Sequence, residues 1–455
     1  MKIKADLIKR VSLKITGKPA EKKLAFAAVV TDSRKEMDQS LFIPIIGERF
    51  DGHQFIEQAV ENGAAGSLWQ KDKPIPASVK YKIPFFLVED TTEALQDLSV
   101  EYLKEVSPKV IGVTGSNGKT TVKDMLEAVL SNTFETFKTQ GNFNNHWGMP
   151  LTILSMPKTT EVLILEMGMS GLGEISFLSK LATPDLAIIT NIGESHLEQL
   201  KTRENIAKAK MEIIDGLKEN GTVIVDGDEP LLMPLLESGA LGCGYSNTCD
   251  YRITDVKSGN EGSSFVIEPA NEEYALPLLG KHNVKNSVYS IVAAKRLGVT
   301  NANIKQGLSS LKLTNMRLER FEGINGSLLI NDAYNASPTS MKAALETLSS
   351  LEGYSKKIAV LGDMYELGEN EVILHRNIAD AVSPSITKVI TVGEKGKWIA
   401  DGLNEKSKQD VPVLSFIDKN KAAEALKSEL GNDTAVLFKA SRGLELETII
   451  KQVTN

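Results

Sequence analysis

The sequence predicts an α/β protein of three domains: a central P-loop domain with a parallel sheet, flanked by a small N-terminal α/β domain and a C-terminal Rossmann-like domain. Three observations support this fold class. The chain has 455 residues, more than one hydrophobic core usually holds. Short apolar runs alternate with helical stretches in its middle and last thirds, as in parallel sheets covered on both faces. A glycine-rich turn joins a strand to a helix between residues 110 and 130.

The composition excludes several classes of protein. Hydrophobic residues make up 42% of the chain and charged residues 24%, and the formal net charge of -7 gives no support for a nucleic-acid partner. No stretch approaches 18 apolar residues, and residues 1–6 reach an acid before any apolar run, so we expect no membrane insertion. Cys243 and Cys249 fit neither a redox pair nor a zinc knuckle. These features predict a cytoplasmic protein.

We assign residues 1–105 to the N-terminal domain. Its predicted elements are strands at 26–31, 40–46 and 84–88, with a helix at 53–62. Polar residues follow the first two strands, where they could bind a ligand or only turn the chain. The residues alone leave both alternatives open.

We assign residues 106–312 to the central domain, which contains the glycine-rich turn. Gly115 and Gly118 permit close approach of the backbone to phosphates, Lys119 supplies a charge for the β- and γ-phosphates, and the Thr120 hydroxyl can bind Mg²⁺. The strict P-loop pattern requires glycine where this chain has Val113, but the strand, turn, lysine, hydroxyl and helix keep their order. An ordinary glycine turn is the alternative. The order of these features predicts a phosphate-binding loop at a helix N-terminus.

Further strands of the central domain are predicted at 162–165, 186–189 and 222–225, with an antiparallel edge at 251–254 and 264–267. Glu166 follows the first of these strands, and His196 lies in the segment after the second. Ligands of open α/β sheets lie at the carboxyl ends of strands. Both side chains therefore suit a second divalent cation near the one bound by Thr120, although His196 could equally cap a turn.

Lys210 lies in the middle of an apolar stripe if residues 206–217 form one helix, because Ile206, Ile213, Ile214 and Leu217 share its face. Burial favours the neutral amine of lysine, which can react with CO₂ to give a carbamate that binds a metal. The alternative is a side chain that extends to solvent along the apolar surface.

We assign residues 313–455 to the C-terminal domain, with strands at 327–330, 357–361, 388–392 and 435–438. This pattern is doubly wound but has no lysine-bearing phosphate loop. Three clusters of small hydrogen-bonding residues stand out along the chain, at 141–150, 280–286 and 331–338. Asparagine-rich loops more often cap and turn than bind, so each cluster alone is a weak signal.

Taken together, these motifs resemble the Mur ligases over nearly the whole chain. The segments that carry the resemblance are Thr114–Thr121, Gly141–Pro150, Glu166–Gly168, His282–Asn283, Asp332–Pro338, Asp32–Arg34, Asp51–His53 and Leu361–Gly368. The resemblance is to the members that add a dipeptide. It implies an ATP-dependent amide ligase that joins D-alanyl-D-alanine to UDP-N-acetylmuramoyl-tripeptide in peptidoglycan precursor synthesis, through an acyl phosphate. It also implies ATP and Mg²⁺ as cofactors, and we expect a monomer.

The resemblance assigns the UDP moiety to the N-terminal domain, ATP to the central domain and the amine substrate to the C-terminal domain. The implied catalytic residues are Lys119, Lys210 and His196, with Lys210 carbamylated in relatives. The implied nucleotide-binding residues are Gly115, Ser116, Asn117, Gly118, Lys119, Thr120, Thr121, Asn283, Arg317 and Asp332. The implied metal ligands are Thr120, Glu166 and His196, and the implied substrate-binding residues are Ser33, Arg49, Asn142, Asn145, Tyr334 and Asn335.

Two positions depart from the family pattern. Ala440 stands where glycine is usual, and His146-Trp147 replaces an acidic and an aliphatic residue.

Three alternative functions remain. A ligase that adds the third residue is disfavoured because its Asp-Asn-Pro-Arg-like motif is absent, and a folylpolyglutamate synthase is disfavoured by the motifs at 32–34 and 51–53. A nucleotide switch would not need Glu166, His196 and Lys210 at one site.

Overall fold

A computed structural model describes residues 3–19, 23–405 and 411–454. Residues 1 and 2, part of the N-terminal segment discussed above, lie outside the described residues. The described chain forms sheets of five, nine and six strands in sequence order, together with a two-stranded ribbon. These three sheets with their covering helices confirm the predicted three-domain α/β class. Within the described ranges, no helix has the length and apolarity needed to cross a bilayer.

The first sheet belongs to the N-terminal domain. Its strands and those of the ribbon are β1 (Ile3–Lys4), β2 (Lys14–Gly17), β3 (Ala25–Phe26), β4 (Val29–Val30), β5 (Ser40–Phe42), β6 (Ala64–Gln70) and β7 (Pro84–Val88). The helices are α1 (Ala5–Arg10), α2 (Ile56–Glu61) and α3 (Thr91–Val106). The order in the sheet is β2-β7-β6-β5-β4, with only β2 antiparallel to its neighbour.

Three predicted elements of this domain differ in the structure. The strand expected at 40–46 is shorter than predicted, because β5 ends at Phe42. The strand expected at 26–31 is wrong as a single strand, because β3 pairs with β1 in the ribbon while β4 pairs with β5 in the main sheet. The helix expected at 53–62 starts as a 3₁₀ turn, Gly52–Phe55, before α2. Asp51 caps this turn by accepting the backbone N–H of His53 at 3.0 Å. The strand predicted at 84–88 is confirmed as β7.

The nine-stranded sheet forms the central domain. Its strands are β8 (Lys109–Thr114), β9 (Thr136–Lys138), β10 (Val162–Glu166), β11 (Leu186–Ile189), β12 (Thr222–Asp226), β13 (Leu241–Gly244), β14 (Tyr251–Gly259), β15 (Gly262–Glu268) and β16 (Glu272–Leu276). The helices are α4 (Lys119–Leu130), α5 (Gly148–Ser155), α6 (Glu174–Ala182), α7 (Leu197–Leu200), α8 (Arg203–Met211), α9 (Met233–Glu237), α10 (Lys281–Arg296) and α11 (Asn301–Ser309).

Strand β8 lies between β10 and β11, parallel to both. All three strands are buried apart from Lys109, because helices cover both faces of the sheet. The carboxyl ends of these neighbouring strands therefore meet at one edge, where the glycine-rich turn, Glu166 and the segment before His196 lie. The predicted antiparallel edge is confirmed as β14 and β15, and β16 extends it.

The helix expected to carry Lys210 ends earlier than predicted. Helix α8 stops at Met211, and a 3₁₀ segment, Glu212–Gly216, continues the chain. The stripe as one α-helix is therefore wrong beyond this point, and Ile214 is 38% exposed. Lys210 is nevertheless buried, because α8 packs against α6 and the sheet.

The six-stranded sheet forms the C-terminal domain. Its strands are β17 (Glu319–Glu322), β18 (Leu328–Asn331), β19 (Lys356–Gly362), β20 (Lys388–Val392), β21 (Val413–Phe416) and β22 (Thr434–Lys439). The helices are α12 (Pro338–Ser350), α13 (Glu371–Arg376), α14 (Gly396–Glu405), α15 (Lys419–Lys427) and α16 (Glu447–Val453). The order is β17-β18-β22-β19-β20-β21, and only β17 is antiparallel. Separate apolar clusters on its two faces give the doubly wound arrangement.

Candidate active site

A cleft of about 630 Å³ lies between the central and C-terminal domains. The P-loop, the ends of β10 and β12 and the start of α10 form its central-domain wall, and residues from 317 onward form the opposite wall. The predicted residues that line it are Ser116, Asn117, Gly118, Lys119, Thr120, Thr121, Asn145, Glu166, His196, Asn283, Arg317, Asp332, Tyr334 and Asn335. Most predicted site residues are therefore brought together from distant parts of the chain.

The P-loop has the backbone geometry that its glycines allow. Gly115 and Gly118 have φ of +147° and +84°. A Cβ at Gly115 would lie 1.9 Å from Oγ1 of Thr190, so no larger residue fits without movement. Helix α4 begins at Lys119, which directs its first backbone N–H groups toward the cleft as an anion-binding site.

Lys119 folds back onto the loop, where its Nζ donates a hydrogen bond of 2.7 Å to the carbonyl oxygen of Gly115. Burial lowers the pKa of Lys119, Glu166 raises it, and Arg317 adds to the lowering. The Lys119 side chain therefore lies against the P-loop, whose backbone N–H groups would bind a triphosphate.

Thr120 and Glu166 form an oxygen-rich corner of the cleft. The Thr120 hydroxyl donates to Oε2 of Glu166 at 3.0 Å, and Nδ2 of Asn144 donates to Oε1 at 3.0 Å. Arg317 donates to the same hydroxyl at 3.2 Å. A hydroxyl and a carboxylate beside a phosphate loop are ligands that suit Mg²⁺, which keeps several waters and needs few protein oxygens. No group of three His, Cys, Asp or Glu side chains forms a metal cage in the part of the chain that the structure describes.

His196 lines the cleft but also contacts the C-terminal domain. Its Nδ1 lies 2.7 Å from Oε2 of Glu366, a residue that the predicted site did not include. His196 has a left-handed backbone conformation, with φ of +63°, and precedes α7. Its role as a metal ligand stays a prediction.

Lys210 is buried and does not line the cleft. The residue is 2% exposed, and its amine makes no hydrogen bond or ion pair with any described residue. Burial lowers the pKa of Lys210 well below its ordinary value, and the charge of Lys119 adds to this effect. A buried amine without a partner is expected to be neutral.

Asn283 and Asn286 lie at the start of α10, on the wall of the cleft. Nδ2 of Asn283 donates to the carbonyl oxygen of Leu279 at 2.8 Å, which fixes the orientation of its amide. Nearby, Lys285 forms ion pairs of 2.8 Å with Asp226 and 2.7 Å with Asp228. No motif in the sequence indicated these ion pairs. Asp226 is the last residue of β12. Because ligands of open α/β sheets lie at the carboxyl ends of strands, its position could have indicated a site residue.

Two cationic side chains, Arg317 and Lys439, contact other residues of the C-terminal wall. The guanidinium of Arg317 lies 4.4 Å from the ring centroid of Tyr334. Lys439 is buried, pairs with Oδ2 of Asp332 at 2.7 Å and donates to the carbonyl oxygen of Asn335 at 2.8 Å. Burial lowers the pKa of Lys439, and Asp332 opposes that shift. Lys439 thus fixes the segment that carries three predicted site residues.

Five predicted residues do not line the cleft. These residues are Gly115, Lys210, Asn142, Ser33 and Arg49. Ser33 is buried in the N-terminal domain and donates to Oε1 of Gln58 at 2.8 Å, whereas Arg49 and Asn142 are exposed.

Comparison with known proteins decides the family. Residues 26–102, 113–294 and 316–442 match the family profiles described as Mur ligase family, catalytic domain; Mur ligase middle domain; and Mur ligase, glutamate ligase domain. These matches cover most of the chain. The chain belongs to the Mur ligase family.

Individual Mur ligases are similar over the full length. The UDP-N-acetylmuramoyl-tripeptide--D-alanyl-D-alanine ligase of Bacillus subtilis is 48% identical, over 96% of this chain and 94% of its own length. The structure of MurF from Acinetobacter baumannii has a TM-score of 0.88 and 29% identity, covering 99% of this chain and 98% of its own. The MurF ligase from Thermotoga maritima in complex with ADP has a TM-score of 0.82 and 32% identity, covering 93% and 96%.

The two departures from the Mur ligase pattern lie outside the cleft lining. Ala440 is buried, and its Cβ would be 2.8 Å from a Cβ placed on Gly362, so the glycine of β19 accommodates the additional methyl group. Gln96 of α3 donates to the carbonyl oxygen of His146 at 3.1 Å, so this residue contacts the N-terminal domain. Neither departure alters the phosphate-loop wall.

Proposed function

We propose that this Mur ligase joins D-alanyl-D-alanine to UDP-N-acetylmuramoyl-tripeptide in peptidoglycan precursor synthesis, with ATP as the energy source. The observation that carries the proposal is the full-length similarity to the Bacillus subtilis ligase of that activity. The P-loop cleft supports it, because its two walls come from the domains that would hold the nucleotide and the amine substrate.

The reaction has to overcome the poor electrophilicity of a carboxylate. The terminal carboxylate of the tripeptide attacks the γ-phosphorus of ATP, which forms an acyl phosphate and releases ADP. The amine of the dipeptide then attacks the acyl carbon, loses a proton, and expels inorganic phosphate from a tetrahedral intermediate. One amide bond forms, and one ATP is converted to ADP and phosphate.

The residues of the central-domain wall have defined tasks in this scheme. The P-loop N–H groups and the Lys119 ammonium bind the β- and γ-phosphates, and Asn283 contacts the adenine. Thr120 and Glu166 would hold Mg²⁺, which would offset charge repulsion between the phosphates and the anionic acceptor. His196 and a carbamylated Lys210 would add further polar groups to the site. Burial lowers the pKa of the Lys210 amine, which has no partner among the described residues, and this supports its part.

The C-terminal wall closes the site from the other side. Arg317 and Asp332 would contact the nucleotide, and Tyr334 and Asn335 the substrates. Because these residues come from another domain than the P-loop, docking of the two domains brings the amine to the acyl phosphate and excludes water.

Several further features of the protein remain predictions within this proposal. They are the domain boundaries at 105 and 312, binding of the UDP moiety by the N-terminal domain through Ser33 and Arg49, contacts of Asn142 and Asn145 with substrate, a monomeric state and a cytoplasmic location.

The decisive experiment measures phosphate release from ATP with Mg²⁺ and UDP-N-acetylmuramoyl-tripeptide, with and without D-alanyl-D-alanine, and follows the nucleotide-linked product by mass. We expect release to require both substrates and the product to gain one dipeptide. Equal turnover without either substrate would overturn the proposal in favour of a nucleotide switch. Turnover with a single amino acid in place of the dipeptide would indicate another Mur ligase activity.

A further inference from the structure

The turn after β19 extends from the C-terminal domain onto α7 of the central domain. The carbonyl oxygen of Glu366 accepts the backbone N–H of Glu198 at 3.0 Å. A Cβ placed on Gly368 would lie 3.1 Å from the Cα of Glu198, so the two backbones are in close contact. This contact fixes the position of Glu366 relative to the helix that His196 precedes.

The side chain of Glu366 reaches the inner nitrogen of His196. Its Oε2 lies 2.7 Å from Nδ1. Nδ1 is buried and makes no hydrogen bond of acceptable geometry with any described residue, although this carboxylate lies within hydrogen-bond distance of it. His196 also lines the cleft, and with Nδ1 turned inward the nitrogen left for the cleft is Nε2.

Both partners have strained backbones. His196 and Glu366 each have φ of +63°, in the left-handed region that residues with a Cβ seldom adopt. Such conformations persist where the surroundings hold them, and they cluster at functional sites. Here the strain lies on both sides of one contact between domains.

We propose that Glu366 is a positioning residue for His196. When the C-terminal domain is docked, the carboxylate accepts the proton on Nδ1 and so selects the tautomer with an unprotonated Nε2 facing the cleft. The acceptor nitrogen of His196 is therefore presented only when the domain that carries the amine substrate is in place. The tautomer assignment stands on the contacts alone, and only its kinetic consequence rests on the proposed function.

The first test reads the tautomer directly. The chain has five histidines, so ¹⁵N-histidine labelling with long-range ¹H–¹⁵N spectra at alkaline pH gives few signals, and His196→Gln assigns the one of interest. We expect the Nδ1–H form in the parent protein and a shift toward Nε2–H in Glu366→Gln. The matched control is Glu369→Gln, an exposed glutamate of the same turn, which should leave the spectrum unchanged. An Nε2–H signal in the parent protein, or no change in Glu366→Gln, would overturn the proposal.

The second test separates positioning from general damage. We expect Glu366→Gln to lower kcat of ligation about tenfold, the effect typical of losing a group that orients a functional histidine, with the KM for ATP unchanged. Glu366→Asp should recover part of the loss. An unchanged kcat together with a shifted tautomer would refute the kinetic coupling. If the parent protein forms no ligation product, the proposed function fails, while the spectra still decide the role of Glu366.

Discussion

Burial lowers the pKa of two lysine amines, those of Lys119 and Lys210. For Lys119, Glu166 opposes the shift and the amine donates to the P-loop, whereas Lys210 has no partner among the described residues. Desolvation favours the neutral form of an amine, and a nearby positive charge adds to the effect. We therefore predict two different tasks for the same residue type, with Lys119 as a phosphate-binding cation and Lys210 as a neutral amine that can react with CO₂.

Replacing Lys119 should remove the cation that meets the β- and γ-phosphates. We expect Lys119→Ala to lower kcat/KM for ATP on the order of 10²–10³-fold, as for other preorganised groups that stabilise charge in a transition state. The measurement is steady-state phosphate release in the presence of both substrates. Lys208→Ala, which alters an exposed lysine, is the control and should retain full activity. Ligation that survives in Lys119→Ala would contradict the role given to the P-loop.

Lys210 should make the stability of the ligase rise with pH. Its folded-state pKa lies below the ordinary value of 10.5, so between these values the unfolded chain binds a proton that the native state lacks. We expect Lys210→Met to have a higher Tm than the parent protein at pH 7 and a smaller advantage at pH 10. Calorimetry in CO₂-free buffer measures both, because carbamylation would change the charge of the parent residue.

Lys208→Met is the matched control for this experiment, since Lys208 lies on the same helix but is exposed. Its Tm should follow that of the parent protein at both pH values. A constant difference between Lys210→Met and the parent protein from pH 7 to pH 10 would show that the native amine is charged.

The glycine-rich turn between β8 and α4 is packed closely against neighbouring segments of the central domain. Gly115 lies against Thr190, and Gly118 would place a Cβ 2.8 Å from Oδ1 of Asn286. The P-loop is therefore in close contact with the segments after β11 and in α10. Any side chain on these glycines would move the loop away from the phosphate position.

Gly115→Ala should combine backbone strain with a steric clash, whereas Gly353→Ala has only the strain. Both glycines have positive φ, but nothing lies within 4 Å of a Cβ on Gly353. We expect Gly353→Ala to cost about 1–2 kcal/mol and Gly115→Ala roughly 1–3 kcal/mol more. Thermal unfolding compares the two variants, and calorimetric titration with ADP should show weaker binding only for Gly115→Ala. Equal stability and equal ADP affinity would contradict the packing argument.

Helix α12 connects the two domains at both of its ends. At its N-terminus, Nδ2 of Asn117 donates to the capping residue Ser337 at 3.3 Å, and Glu194 accepts the backbone N–H of Thr339 at 3.1 Å. Beyond its C-terminus, Glu352 exchanges hydrogen bonds of 2.7 and 2.9 Å with the side chain of Asn260, in the turn between β14 and β15. The central domain thus holds α12 both at the cleft and far from it.

Asn260→Ala should loosen the C-terminal domain without altering the cleft. The variant loses two hydrogen bonds, each contributing about 1 kcal/mol. We expect a broader distribution of interdomain distances by small-angle X-ray scattering and a several-fold higher KM for D-alanyl-D-alanine, with unchanged ADP affinity. Glu261→Ala, at an exposed neighbouring position, is the control. A KM equal to that of the parent protein would mean that the contacts at the cleft suffice to hold α12.

Much of each domain could be predicted because its elements follow from local sequence. The strands at 84–88, 186–189 and 388–392 were predicted with their observed bounds, since short apolar runs between turns have few other stable conformations. The P-loop was equally accessible, because its strand, turn, lysine and helix are contiguous. Errors arose where pairing partners change, as between β3 and β4, or where a helix yields to a 3₁₀ turn, as after Met211.

The fold class, the phosphate loop and, through its motifs, the resemblance to Mur ligases can be predicted from the chain alone, because each rests on residues that are neighbours in sequence. The contacts of Glu366 with His196, of Lys439 with Asp332 and of Lys285 with Asp226 are visible only in the folded structure. The paired residues are 59 to 170 positions apart in the chain. No local pattern encodes such distances, since they depend on how whole sheets and domains pack.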